Sequence, residues 1–370
     1  MITRDLRHSL ARAAAAAGFG TAGDPGLRPT GIPGQYAASV ALTLGANPRE
    51  TAAALAAALT REQLTREQGP TDHWIARVKV TGPGYLTVTV TPEALAAVAD
   101  NITADGPGCV TSDALAGVTV PAAPPGDPLA ATTWEAARAA LAARLTARLA
   151  AAAGATVEPE AAPGAERGPR ETEAAARAGG DGATSPWAAA AFAGRDAVTF
   201  TLARAIPGRP LRIDPKVIAR HVPGNPAYAV RYAHARAASG VRWAVTSRGG
   251  DPSDPPLSRP AGTVTSGNVG VPRREETAPP CPPADPGKLA LLDALSWLPE
   301  RVATAARRGR PDEFARYLED LASVTVDVLS SASHPGSAIH ASDRLGLAMA
   351  ARTGIAAGLG LLEVSAPDRL

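Results

Sequence analysis

Five residues between positions 228 and 242 have the types and spacing to grip a polyanion that carries flat rings. From Pro226 the chain reads Pro-Ala-Tyr-Ala-Val-Arg-Tyr-Ala-His-Ala-Arg-Ala-Ala-Ser-Gly-Val-Arg. Tyr228, Arg231, Tyr232, Ala235, Ser239 and Arg242 recur there at i, i+3, i+4, i+7, i+11 and i+14, one face of a helix. Arg236 follows Tyr232 by four residues. A phenol ring stacks on a nucleobase and a guanidinium forks onto phosphate, so this pattern suits RNA. The surrounding charge agrees: residues 191–250 hold ten Lys/Arg against two Asp/Glu, a local +8 in a chain of net charge +2, and such a concentration is a candidate polyanion surface. The same stripe also fits a bundle helix whose tyrosines pack and whose arginine stems lie along apolar surface. His234 reads as a structural histidine.

Other chemistries find little support. Two cysteines, Cys109 and Cys281, make neither a disulfide framework nor a metal-ligand set, so no metal and no cofactor is expected. The opening Met1-Ile2-Thr3-Arg4-Asp5-Leu6-Arg7-His8 lacks the apolar core of a signal peptide, and no stretch is long and apolar enough to span a bilayer. The expectation is a cytoplasmic protein with no membrane partner.

The elements that must position the stripe follow from periodicity and punctuation. Residues 1–20 read as a helix with Leu6, Leu10 and Ala13 on one face. A helical pattern resumes from Tyr36 to Leu44. Asn47-Pro48-Arg49-Glu50 is a helix start, Asn as N-cap and Pro at the first turn, for a helix running to about Leu64. Strands are expected at Ile75–Val80 and Tyr85–Val90 around Gly82-Pro83-Gly84, then a helix from Thr91-Pro92-Glu93. These make an α/β domain over residues 1–102. A strand–loop–helix occupies 103–153, with its helix from Trp134 to about Ala152. Residues 154–187 are a Gly/Ala/Glu/Pro linker, 188–246 a basic helical segment, and 247–287 a Pro/Gly-rich loop. Residues 288–370 return to helices: a Leu291, Leu295, Leu298 stripe, a second helix from Pro311 with Phe314, Leu318, Leu321, Thr325 and Val328 inward, and a third from about Ser342 to Gly358. The fold class is an α+β N-terminal domain, a small α/β segment and an all-α C-terminal bundle.

Several of these stretches resemble arginyl-tRNA synthetases. Asn225-Pro226-Ala227-Tyr228, continuing to Arg236, is similar to the segment that opens the family's DALR anticodon-binding domain, with Arg231 where the family has Gln. Leu298-Pro299-Glu300, Tyr317-Leu318-Glu319-Asp320-Leu321-Ala322, Asp343-Arg344-Leu345 and Ala366-Pro367-Asp368-Arg369 resemble later parts of that domain. At the other end, Gly34-Gln35-Tyr36-Ala37-Ala38-Ser39-Val40-Ala41-Leu42, Asn47-Pro48-Arg49-Glu50 and Gly82-Pro83-Gly84-Tyr85 resemble the family's N-terminal domain in the same order, with Gln35 and Ser39 replacing Asp and Asn. That likeness implies tRNA contacts for Tyr36 and Tyr85, alongside Tyr228, Arg231, Tyr232, Arg236 and Arg242, although a tyrosine in so small a domain is more often a core residue.

The resemblance also locates what is missing. Where the family's catalytic domain carries His-x-Gly-His against the ATP phosphates, this chain has Ala130-Ala131-Thr132-Thr133. No histidine lies between His73 and His221 and no lysine between Lys79 and Lys216, so the lysine loop has no counterpart either. The resemblance therefore implies a truncated paralogue lacking most of the class I catalytic domain, which binds tRNA, tRNA-Arg for instance, without charging it. A protein–protein module derived from a synthetase is the alternative, and an active arginine–tRNA ligase is the least favoured reading.

Overall fold

The structure, a computed structural model, describes residues 1–20, 23–65, 73–159, 185–246, 285–331 and 341–370. Helix α1 (Ile2–Ala16) buries Leu6, Leu10 and Ala13 against α3 (Pro48–Thr65). Between them lie β1 (Arg28–Pro29), β2 (Gln35–Ala38) and the single turn α2 (Ala41–Leu44). The hairpin β3 (Ile75–Thr81) and β4 (Tyr85–Val90) completes an antiparallel sheet of order β1-β2-β4-β3, with Tyr36 opposite Val88. Gly84 turns the hairpin at φ +142°, and a Cβ there would stand 2.7 Å from the Pro48 carbonyl oxygen. The glycine motif and the Asn-Pro motif are thus parts of one contact, and only a residue without a side chain fits it.

The helical pattern expected from Tyr36 is corrected here. Residues 35–38 pair with β4 as a strand, Tyr36 and Ala38 inward. Strand pairing is a long-range bond that outweighs the local pattern.

Helix α4 (Pro92–Asp105), capped by the Thr91 hydroxyl, leads through a 3-10 turn at Gly106–Val110 to β5 (Thr119–Pro121), α5 (Trp134–Ala152) and β6 (Thr156–Glu158). β5 and β6 pair in parallel, Thr119 opposite Thr156. This is a closed βαβ unit, so residues 156–158 are a strand where a linker was expected; residues 160–184 of that stretch lie outside the described residues. After α6 (Pro186–Ala193), α7 (Arg195–Ala203) and the short α8 (Pro215–Ile218), the stripe-bearing α9 (Pro226–Thr246) forms as expected. Residues 247–284 of the expected Pro/Gly-rich loop also lie outside the described residues. The C-terminal helices are α10 (Pro286–Ser296), α11 (Leu298–Arg308), α12 (Pro311–Ser331) and α13 (Ala341–Leu361). The Leu291–Leu298 stripe is divided between α10 and α11, because Pro299 carries no N–H with which to continue the first helix.

One apolar core runs from Leu6 in α1 to Val364 beyond α13. α4 packs on α10 and α13, and α1 and α5 pack on α11, so the N-terminal domain sits directly on the bundle. Polar groups register the junction. The Gly34 N–H donates to the Asp293 carboxylate (2.9 Å), Tyr36 Oη and Ser296 Oγ are hydrogen-bonded (2.7 Å), and Thr3 Oγ1 donates to the Ser296 carbonyl (2.9 Å). Arg7 pairs with Glu300 at 2.5 Å. No helix among the described residues is long and apolar enough to cross a membrane.

Candidate RNA interface

Helix α9 is anchored at its start by Asn225, whose side-chain amide donates to the carbonyls of Ile218 and Arg220, both at 2.7 Å. That fixes the chain after α8 against α9 and lays the His221 ring on Tyr228, centroids 5.4 Å apart and 14° from parallel. Tyr228 in turn stacks on Tyr232 at 5.7 Å. The result is a three-ring ladder ending in Tyr232, which is 38% exposed. Ala227, Val230, Ala233 and Ala237 form the buried side of the helix, packed on α12 and α13.

The five helix residues do not form one open surface. Arg231 lies on the edge turned to the C-terminal tail, 3.4 Å from Asp196 and 3.5 Å from Ser365 Oγ. Arg242 donates to the Asp368 carbonyl at 3.2 Å. Between them His234 Nδ1 donates to the Pro367 carbonyl at 3.0 Å. Burial holds the His234 imidazole below its usual range, against the opposing pull of Pro367 and Asp368, so it is neutral near pH 7. Arg231 and Arg242 thus serve the tail, and Tyr228, Tyr232 and Arg236 lie along the other edge of the stripe. About two turns beyond Arg236, on that edge, stands Trp243, 72% exposed. Sequence reading missed Trp243 and His221: Trp243 falls between the stripe positions, and His221 precedes the helix, so neither enters the periodic pattern.

The basic charge is equally uneven. Arg195 forms a two-point ion pair with Asp127 (2.7 and 2.8 Å), and Arg204 does the same with Glu319. Arg209, Arg212, Lys216 and Arg220 are exposed and make no ion pair with any described residue. Four unspent cations therefore sit within twelve residues, on the segment that runs into the ring ladder.

Among the N-terminal candidates, Tyr85 is half-buried at the start of β4, and Tyr36 is wholly buried. The Tyr36 ring lies 5.2 Å from that of Trp297, and burial pushes its hydroxyl well above the ordinary phenol range. A ring in that position has no face left for a base, so of its two readings Tyr36 takes the core one. In the stretch Ala130-Ala131-Thr132-Thr133, Thr133 Oγ1 caps α5 by accepting from Ala136 N–H (3.2 Å); Ala and Thr side chains supply no cation for a triphosphate. Cys109 is buried, its thiol pushed up to about 12 by burial. No group of three His, Cys, Asp or Glu among the described residues could hold a metal.

A cleft of about 800 Å³ opens between the Gly106–Val110 turn, α5, α13 and the tail. Its guanidiniums are already engaged: Arg148 donates to the Gly360 carbonyl (2.8 Å) and Arg352 forks onto Asp368 (2.9 and 3.1 Å).

Residues 230–370 match the DALR anticodon binding domain. Over 183 residues the chain is 32% identical to the arginine–tRNA ligase of Frankia alni, a match covering 48% of this chain and 29% of that protein; the enzyme of Kineococcus radiotolerans gives the same values. The arginyl-tRNA synthetase structure from Thermus thermophilus aligns with all of this chain and 59% of its own at 17% identity, TM-score 0.34. The protein therefore carries a DALR anticodon-binding domain and is arginyl-tRNA synthetase-like over about half its length. It spans less than a third of the length of those two ligases.

Proposed function

We infer that this chain is a cytoplasmic, non-catalytic tRNA-binding protein. The observation that carries the reading is a run of four exposed cations on residues 209–220 whose end, at Arg220, is tied by Asn225 to the helix that bears the His221–Tyr228–Tyr232 ladder, at the head of a domain whose family binds anticodons. Phosphate neutralisation supplies most nucleic-acid affinity, and exposed rings supply stacking. The reading of inactivity rests on the middle of the chain. Adenylate formation needs preorganised positive charge on the triphosphate, and residues 130–133 offer small and hydroxyl side chains where that charge would act. The matched relatives are arginine–tRNA ligases, so tRNA-Arg is the first RNA to try.

The test is binding of the purified protein to labelled tRNA-Arg and an unrelated tRNA at low and moderate salt, beside arginine-dependent ATP–pyrophosphate exchange. Salt-sensitive binding without exchange is expected. Exchange above background would overturn the non-catalytic part, and no binding at low salt would overturn the tRNA part. A second reading, a protein–protein module, is favoured by one feature. Trp187 and Phe192 on α6 are 61% and 64% exposed, beside α8. A defined partner binding through α6 in place of tRNA would support it.

A further inference from the structure

We propose that the α6–α8 face is a docking site for an acidic amphipathic helix of a partner protein, beside the tRNA-binding reading and not in place of it. Two independent observations meet there: exposed apolar side chains and unpaired positive charge.

Helix α6 has eight residues, of which Pro186 and Ala189 are buried. Trp187, Ala188, Ala191 and Phe192 are exposed. Trp187 with Ala191, and Ala188 with Phe192, are each one turn apart, so the four make one outward face. α6 packs on α8, where Val217 is exposed, and Val222 is exposed four residues past its end. Of the ten exposed large apolar side chains among the described residues, four thus fall within residues 187–222. Apolar groups gathered on a folded surface mark an interaction site, whereas single ones need no explanation.

Charge indicates what covers this face. Residues 185–222 carry six Lys/Arg and two Asp/Glu. Arg195 and Arg204 are taken by Asp127 and Glu319, and Asp196 pairs with Arg231. The Asp214 carboxylate caps α8, accepting from the Lys216 N–H at 2.8 Å. Arg209, Arg212, Lys216 and Arg220 are left exposed, with no ion pair to any described residue, and Lys216 stands on α8 itself. A partner that buries Trp187 and Phe192 must therefore bring the carboxylates these cations lack. Aromatic anchors with a charged rim are the usual make-up of a protein interface.

The form of the partner follows from the elements. α6 and α8 are helices and offer no strand edge to an added strand. A helix with large apolar residues at i, i+3, i+4 and i+7 and acids on its flanks fits an apolar helical face. An anionic bilayer fits less well, because membrane-surface binding scales with buried apolar area and α6 presents only about two turns.

The experiment selects a phage-displayed library of random peptides, about four helical turns long, against the full chain, then measures the affinity of the winning peptides in solution. The winners are expected to carry large apolar residues at helical spacing with flanking Asp or Glu. Trp187→Ala with Phe192→Ala should weaken them at least about tenfold. Arg212→Gln with Lys216→Gln should weaken them roughly threefold to tenfold and flatten their salt dependence. Arg77→Gln with Lys79→Gln, exposed cations of β3, should leave them unchanged. All three pairs alter exposed groups, and unchanged circular dichroism would show that they fold. No enriched peptide, winners without acids, or winners indifferent to the α6 pair would each overturn the proposal. Sedimentation with phosphatidylserine vesicles that the α6 pair abolishes would overturn it in favour of a lipid surface. A loss of tRNA affinity of about tenfold in that pair would overturn it in favour of RNA. Binding of tRNA by the parent protein is decided by the assay above, so the two readings fail separately.

Discussion

Asp293 stands half-buried between Gly34 and Tyr36 of one domain and Arg301 of the other. Burial raises its carboxyl above the ordinary range, outweighing the Gly34 hydrogen bond. The folded state then binds the proton more tightly than the unfolded chain, so this group's contribution falls as pH rises from the ordinary carboxylate value near 4 through its raised folded value. Asp293→Asn keeps an acceptor for Gly34 N–H and removes the charge. Its stability relative to the parent should be flat below about pH 4 and grow as pH rises above it; urea midpoints across the acid range would show this. His234 acts oppositely: its lowered value means stability is lost as pH falls below about 6.5. Nearby, Tyr36→Phe deletes only the hydroxyl bonded to Ser296. It should cost about 1 kcal/mol in thermal or urea stability and leave RNA affinity unchanged, because the ring stays covered by Trp297. Residue type could not separate Tyr36 from Tyr232. Both are tyrosines in family-like motifs, and only the tertiary position of Trp297 decides which ring is covered.

At the scale of elements, legibility followed the range of the interaction. Helices announced by their own start signals were readable: Pro48 after Asn47 and Pro92 after Thr91 each begin a helix as their side-chain chemistry dictates. Elements that depend on distant partners were not. β2 exists because β4 lies beside it, and β6 is three residues long and pairs only with β5, 37 positions earlier. The stripe on α9 was legible as a face, but its division was not, since the tail that hydrogen-bonds Arg231 and Arg242 arrives from residues 365–368. The anchor of that helix is likewise nonlocal to the periodic pattern. Asn225 is nearly buried and bonds two carbonyls of the preceding turn. Asn225→Ala should cost about 1–3 kcal/mol by leaving those carbonyls unsatisfied. It should also weaken tRNA binding without altering any ring or cation, because His221 and Arg220 lose their fixed place beside Tyr228. Thermal melts together with affinity would separate this from a simple surface change, which would move neither.

The whole molecule is bound through its junction, where the N-terminal domain and the bundle share one core. Ion pairs there are unequal, and exposure tells which of them matter. Arg12–Glu62 lies within the N-terminal domain with Arg12 half exposed, and a pair of that kind contributes at most about 1 kcal/mol. Arg7–Glu300 joins α1 to α11 with its side chains 11% and 5% exposed. Removing Arg7 leaves the Glu300 carboxylate buried with only the Thr304 hydroxyl at 3.2 Å, and an uncompensated buried charge costs about 3–5 kcal/mol. Arg7→Ala should therefore destabilise far more than Arg12→Ala, and Arg7→Ala combined with Glu300→Gln should recover part of the loss. The route of that loss tests the architecture. Trp297 packs against Tyr36 across the junction, so with the other four tryptophans replaced by phenylalanine its fluorescence reports on that contact while far-ultraviolet circular dichroism reports on all helices. With a shared core, both signals should shift together to lower urea in Arg7→Ala, as one cooperative transition. Were the domains only leaning on each other, fluorescence would change first and helicity would persist to the parent midpoint.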